Sequence, residues 1–228
     1  NYIALPGVLD AIGTNESVPP PLNLLGDFGG GAHYLAFGVV CALREARAAG
    51  EGQVVDAAMG DGAAHLMTMM YGLSQQGKWT DKRQDNLLDG GAHFYGAFEC
   101  ADGKWIAIGS IEPQFYCLLL DTLVIDSKSE GVSQSKENWR RMREELRQIF
   151  LREPQSHWCE LMEGTDICFA PVLSMTDAPA HPHNKNRGVF INDFGITQPG
   201  PAPRFSRTPG SIRRPPPQPG EHTAEVLK

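Results

Sequence analysis

Phe94-Tyr95-Gly96-Ala97-Phe98-Glu99-Cys100-Ala101-Asp102-Gly103-Lys104-Trp105-Ile106-Ala107-Ile108-Gly109 holds two apolar-rich runs around a single Asp-Gly step. Aromatic and β-branched residues suit a pleated, half-buried surface, and Asp-Gly supplies the positive φ that a tight reversal needs. The stretch therefore predicts a β-hairpin, with Phe94–Cys100 paired to Lys104–Gly109. Immediately downstream, Glu112-Pro113 opens a helix to about Leu123, with proline at the first helical position, where its missing N–H is harmless. Residues 136–151 repeat apolar side chains at helical spacing: Trp139, Met142, Leu146, Ile149 and Phe150. Between them stand Arg140, Arg141, Arg143, Glu144 and Glu145, a solvated face. A short helix over 154–163 follows, and Cys168–Leu173 reads as a strand that Pro171 confines to an edge or an end.

Upstream of the hairpin the texture differs. Residues 1–26 are loop-rich, with Gly7, Gly13 and the run Pro19-Pro20-Pro21. The glycine-rich turn Gly26-Asp27-Phe28-Gly29-Gly30-Gly31 leads into a helix from about Ala32 to Ala49, whose stripe is Leu35, Val39, Ala42 and Leu43. Gly50 suits the left-handed position that ends it. Gln53-Val54-Val55 is a candidate buried strand, and Asp56 a cap for a methionine-rich helix reaching Leu73. From about Arg187 the chain is rich in Pro and Gly, with a short helix-like end at Glu221–Lys228. The fold class is thus mixed α/β. The expected division is residues 1–73, a linker at 74–90, a small α+β domain at 91–180, and 181–228 as linker and return.

Composition narrows the function. A net charge of −7 argues against nucleic acid, which calls for clustered Lys and Arg. No apolar run approaches the roughly 20 residues of a membrane span. The five cysteines are odd in number and lack a Cys-x-x-Cys pair, which favours reduced thiols in a cytosol-like compartment. Asn1–Asp10 has no basic segment followed by an apolar core. The expectation is a soluble, cytoplasmic protein.

Three features can carry chemistry. Asp27 sits in the glycine-rich turn before a helix, where amide N–H groups face a developing anion and a carboxylate can act as base. Helix capping is the plain alternative for an aspartate there. Glu112, between an apolar strand and a proline-started helix, can orient a histidine, or simply serve as an acidic residue at a helix start. His181-Pro182-His183 is a weak metal candidate, since no third ligand lies at suitable spacing. The glycine run departs from the G-x-G-x-x-G dinucleotide pattern.

Four stretches resemble the class III CoA-transferase superfamily, and within it the α-methylacyl-CoA racemases: Pro21 to Gly31, Gly50 to Met59, Gly109 to Tyr116 and Ala202 to Gly210. The resemblance runs through essentially the whole chain. It implies a two-base 1,1-proton transfer on the α-carbon of a 2-methylacyl-CoA, in fatty acid and lipid metabolism. Asp27 would then be one base and Asn23 its partner, while Glu112 steadies a histidine. Gly26, Phe28, Gly29 and Gly30 would bind substrate and its oxyanion. No metal or other cofactor is implied, because coenzyme A arrives as part of the substrate. The implied fold is an interlocked homodimer of a Rossmann-like large domain and a smaller α+β domain. The family's catalytic histidine lies in a His-Asp-Ile-Asn-Tyr segment, of which Asn1-Tyr2 is the end. Residues 1–228 alone are therefore expected to be inactive. The same resemblance admits a CoA-transferase that uses the aspartate as nucleophile.

Overall fold

The computed structural model describes residues 1–228, in two compact units, Asn1–Pro171 and Val172–Lys228. In the first unit a 3-10 turn at Tyr2–Ala4 precedes a π-helix, Leu24–Ala32, which runs without a break into α1 (His33–Ala49). Then come α2 (Met59–Leu66), α3 (Thr68–Gln75), β1 (Tyr95–Glu99), β2 (Trp105–Gly109), α4 (Pro113–Thr122), α5 (Trp139–Phe150), α6 (Gln155–Met162) and β3 (Phe169–Val172). The strands form one sheet in the order β1-β2-β3.

The hairpin is as the sequence predicts. β1 and β2 pair antiparallel, Glu99 opposite Trp105, and Gly103 takes the positive φ of +74°. Phe98, Ile106 and Ile108 point inward against Met142, Leu146 and Phe150 of α5, and against Leu119 and Leu120 of α4. Those α5 residues recur every four positions, so one face of the helix is wholly buried while Arg141 and Glu145 pair on the outer side at 3.1 Å. α4 begins at Pro113, as expected, and α5 starts at Trp139 after a 3-10 turn over Lys136–Asn138.

Buried in this core is one histidine. The Tyr116 hydroxyl donates to the Val132 carbonyl at 2.6 Å, so it accepts from His93 Nε2 at 2.8 Å. That fixes the proton on Nε2 and leaves Nδ1 as a buried acceptor without a partner. Burial, reinforced by the Arg143 and Arg141 charges, lowers the His93 pKa to about 4. The unfolded chain binds that proton near pH 6.5, so the stability tied to neutral His93 is complete above pH 6.5. It is lost as the pH falls toward 4. Linkage puts the loss between pH 7 and 4.5 at about 2 kcal/mol. Urea unfolding of wild type and His93→Gln at both pH values measures it; the variant is expected to show a shallower acid decline. Equal declines would dismiss the histidine as the cause.

A second, smaller core lies upstream. Ile3, Val8 and Ala63 are buried together, with Leu9, Ile12, Leu25 and Met67 packed around them. Here the structure departs from the sequence reading at four places. The glycine run is helical rather than a turn, because Gly29, Gly30 and Gly31 carry no Cβ to obstruct the wide π turn. Its i→i+5 bonding starts with Phe28 N–H to Asn23 O at 3.2 Å. Phe28 O at the other end receives both the His33 N–H and His33 Nδ1, the latter at 2.8 Å. Gln53–Val55 forms no strand, and Val54 is 93% exposed, since no neighbouring strand exists for it to join. The methionine-rich helix is broken at Met67 into α2 and α3, and its N-cap is Ala58, not Asp56. Finally, no residue of α1 is buried; its apolar stripe, Leu35, Val39 and Leu43 included, faces outward because no element packs on it.

The second unit contains α7 (Pro182–Arg187), β4 (Phe190–Asp193), β5 (Ile196–Pro199) and α8 (Thr223–Val226). β4 and β5 form a hairpin closed by Phe194 and Gly195, both at positive φ (+57° and +73°). Arg214 grips Glu225 through two bonds of 2.8 and 2.7 Å, which ties the proline-rich tail to α8.

Candidate active site

Asp27 lies in the first turn of the π-helix, and its side chain is exposed. The residue at the capping position is Asn23, which makes no side-chain capping bond, so neither polar side chain is spent on closing the helix. Because the first i→i+5 bond begins at Phe28 N–H, the amides of Leu25, Gly26 and Asp27 precede the ladder, as unpaired donors do at a helix start. Four residues apart on a helix, Asn23 and Asp27 share a face. They line one cavity of about 300 Å³ together with Asn1, Tyr2, Gly26 and Met59.

Two glycines shape this helix from beneath. A Cβ on Gly26 would stand 3.2 Å from both Ile3 Cγ2 and Met59 Sδ, so its absence lets those side chains close over the helix start. A Cβ on Gly30 would reach the backbone of α2, at 2.8 Å from Ala63 N and 2.9 Å from Met59 O. Gly30 thus serves contact with α2, and together with Phe28 and Gly29 it stands outside the lining of the Asp27 cavity. Of the residues named from the sequence, the structure gathers Asn23, Gly26 and Asp27 there. Asn1, Tyr2 and Met59 line the cavity without having been singled out. In the sequence, Asn1 and Tyr2 stand out only as the tail of the family's histidine segment, and Met59 only as the end of a stretch resembling the family.

Glu112 is not in that cavity. It is the N-cap of α4, in extended conformation (φ −73°, ψ 140°), and its exposed side chain makes no capping bond. The carboxylate lies near Cys168, a residue held at φ +61° where β3 begins. Burial and the charges of Glu112 and Asp166 push the Cys168 thiol up, which opposes nucleophilic thiolate chemistry. Cys100 is likewise pushed up by burial, to about 11.

Elsewhere, His181 is the N-cap of α7 and His183 lies within that helix. No group of three or more His, Cys, Asp or Glu side chains is assembled to hold a metal. A further cavity of about 240 Å³ is lined by Asp10, Tyr71, Trp79 and Arg83. Its arginine is engaged by the Asp10 carbonyl at 2.6 Å and by the Asp10 carboxylate, so that cavity offers no free guanidinium. No helix is long and apolar enough to cross a membrane.

The model of CoA-transferase family III matches residues 1–223. The chain belongs to CoA-transferase family III. Among the family's curated members, mouse alpha-methylacyl-CoA racemase is 44% identical over the whole of this chain, and the human racemase 40%. The chain spans 61% and 60% of their respective lengths. A crystal structure of a CaiB/BaiF family protein from Brucella suis superposes with a TM-score of 0.74 at 19% identity, covering 99% of this chain and 61% of that one. That likeness supports the mixed α/β fold with its small sheets.

Proposed function

We propose that the whole protein interconverts (2R)- and (2S)-2-methylacyl-CoA thioesters by 1,1-proton transfer. The observation that carries this reading is the Asp27 carboxylate, exposed and without capping duty, in a cavity with Asn23 and a helix start. The identity with two racemases along the full chain gives it direction. A thioester carbonyl acidifies the neighbouring C–H, and removing that proton leaves a planar enolate. Amide donors such as those at Gly26 are suited to stabilise its oxygen. Asp27 takes or returns the proton on one face, with Asn23 beside it to orient the carboxyl group.

The opposite face requires a second base. In the family pattern that base is a histidine three residues ahead of the Asn-Tyr pair, and Asn1 and Tyr2 line the Asp27 cavity. A His-Asp-Ile segment joined to Asn1 would lead to the same place. Glu112 steadies this histidine, and we assign their meeting to two subunits of an interlocked homodimer with Rossmann-like large domains. The reading includes no metal or cofactor beyond the coenzyme A of the substrate, and places the enzyme in cytoplasmic lipid metabolism.

The family name favours a second reading, in which Asp27 attacks the thioester carbon and forms an acyl anhydride, expelling CoA thiolate. Deuterated water separates the two. The whole protein, given a 2-methylacyl-CoA and no acceptor acid, is expected to exchange the α-hydrogen and drive either epimer to a mixture. Absence of exchange, with CoA transfer on adding a carboxylic acid, would replace the racemase by the transferase.

A further inference from the structure

Glu112 owes its place to a turn that is fastened on every side. Gly109 N–H donates to Cys168 O at 2.9 Å, and the buried Ser110 hydroxyl donates to Ile167 O at 2.6 Å. Ile111 N–H bends back to Gly109 O at 2.8 Å, which tightens the chain as it leaves β2. The two carbonyls that immediately precede Glu112 accept no backbone N–H. Both are taken by one side chain: Gln134 Nε2 donates to Ser110 O at 3.1 Å and to Ile111 O at 2.9 Å. Gln134 itself is anchored, because its backbone carbonyl accepts from Trp139 Nε1 at 2.9 Å and Trp139 packs on the main core. Next to it, Asn138 Nδ2 holds Ser133 Oγ at 2.9 Å. A single amide group from the loop between α4 and α5 thus sets the direction in which the chain enters Glu112.

We infer that Gln134 is a positioning residue for Glu112, acting on the reaction through that carboxylate and never touching substrate. The inference rests on the role proposed for Glu112. Gln134 offers two N–H bonds in one plane, which a leucine of similar bulk cannot replace. Without them two part-buried carbonyls lose their partners and the turn can rotate. The histidine then loses a fixed carboxylate, which lowers its pKa and leaves its ring free to misorient.

The test is a double-mutant cycle in the whole protein, reading interconversion of the two 2-methylacyl-CoA epimers. Glu112→Gln alone is expected to lower kcat about 100-fold, at the low end for a lost acid–base function. Gln134→Leu alone is expected to lower kcat about 10-fold, with KM within about twofold. In the Glu112→Gln background, Gln134→Leu is expected to add less than about twofold. Both single variants should move the acid limb of the pH–rate profile to lower pH. A full further 10-fold loss in the Glu112→Gln background, as general unfolding of the loop would give, overturns the inference. So does Gln134→Leu with wild-type rate and pH profile. Wild-type epimer interconversion in Glu112→Gln would instead sink the role proposed for Glu112, and a wild type that interconverts nothing would sink the racemase reading.

Discussion

Asp27→Asn is expected to reduce interconversion of the two 2-methylacyl-CoA epimers by about 10³-fold in the whole protein, while its melting temperature stays within about 2 °C. The two halves of that expectation have separate causes. An amide matches a carboxylate in shape but cannot hold a proton at neutral pH, so one arm of a two-base exchange is removed outright. Stability is spared because the Asp27 carboxylate is exposed and no capping bond depends on it. A charge near a helix N-terminus contributes roughly 0.3–1 kcal/mol, too little to unfold a chain of this size. Binding should also hold, since Asn23, Gly26 and Met59 still line the cavity. Kinetics from each 2-methylacyl-CoA epimer, paired with calorimetry, check both halves. Retention of more than a tenth of the epimer interconversion rate would remove Asp27 from the chemistry. A large fall in melting temperature would return it to the structural role of an ordinary helix-start acid.

What the sequence discloses here follows from how local each determinant is. β1 and β2 were legible because Asp102-Gly103 and the inward residues Phe98, Ile106 and Ile108 agree on one register. α5 was legible because its buried residues recur at helical spacing within a single run. The π-helix was hidden for the opposite reason. Gly29-Gly30-Gly31 has no intrinsic preference for it, and the conformation depends on α2, some 30 positions downstream, pressing against Gly30. The hairpin of β4 and β5 escaped because its turn carries Phe194 where Asn or Asp would announce a positive φ. α1 misled in another way: its stripe promised burial that no element of the chain supplies. Asp27 and Glu112 could be singled out by residue type and setting, although on chemistry alone an ordinary helix-start acid was the favoured reading of each. Gln134 gave no signal at all. A glutamine between two serines in a polar loop is ordinary, and only its bonds to Ser110 and Ile111 distinguish it.

The long-range contact beneath the π-helix leads to the second large effect. Gly62→Ala is expected to destabilise the protein by roughly 3 kcal/mol or more, against the usual benefit of alanine over glycine in a helix. Gly62 is buried in α2, and a Cβ there would stand 1.9 Å from Gly30 O and 2.7 Å from Gly30 C. Ordinary contact needs about 3.5 Å, so α2 and the π-helix would have to part by roughly 1.5 Å. Neither side can yield by changing a rotamer, since the opposing atoms are backbone. Separation would also carry Met59 away from Gly26 and widen the cavity that holds Asp27, so exchange should fall along with stability. For a chain of this length, 3 kcal/mol corresponds to a drop of about 6–12 °C in melting temperature. Gly60 is the internal control. It lies in the same helix two positions earlier, and a Cβ on it meets nothing within 4 Å. Gly60→Ala should therefore leave stability unchanged or raise it by about 0.5–1 kcal/mol. If both alanines were tolerated alike, the close approach of Gly30 and Gly62 would not be what holds the Asp27 helix in place. If only Gly62→Ala fails, the position of the carboxylate is set by a backbone contact that residue type alone could never reveal.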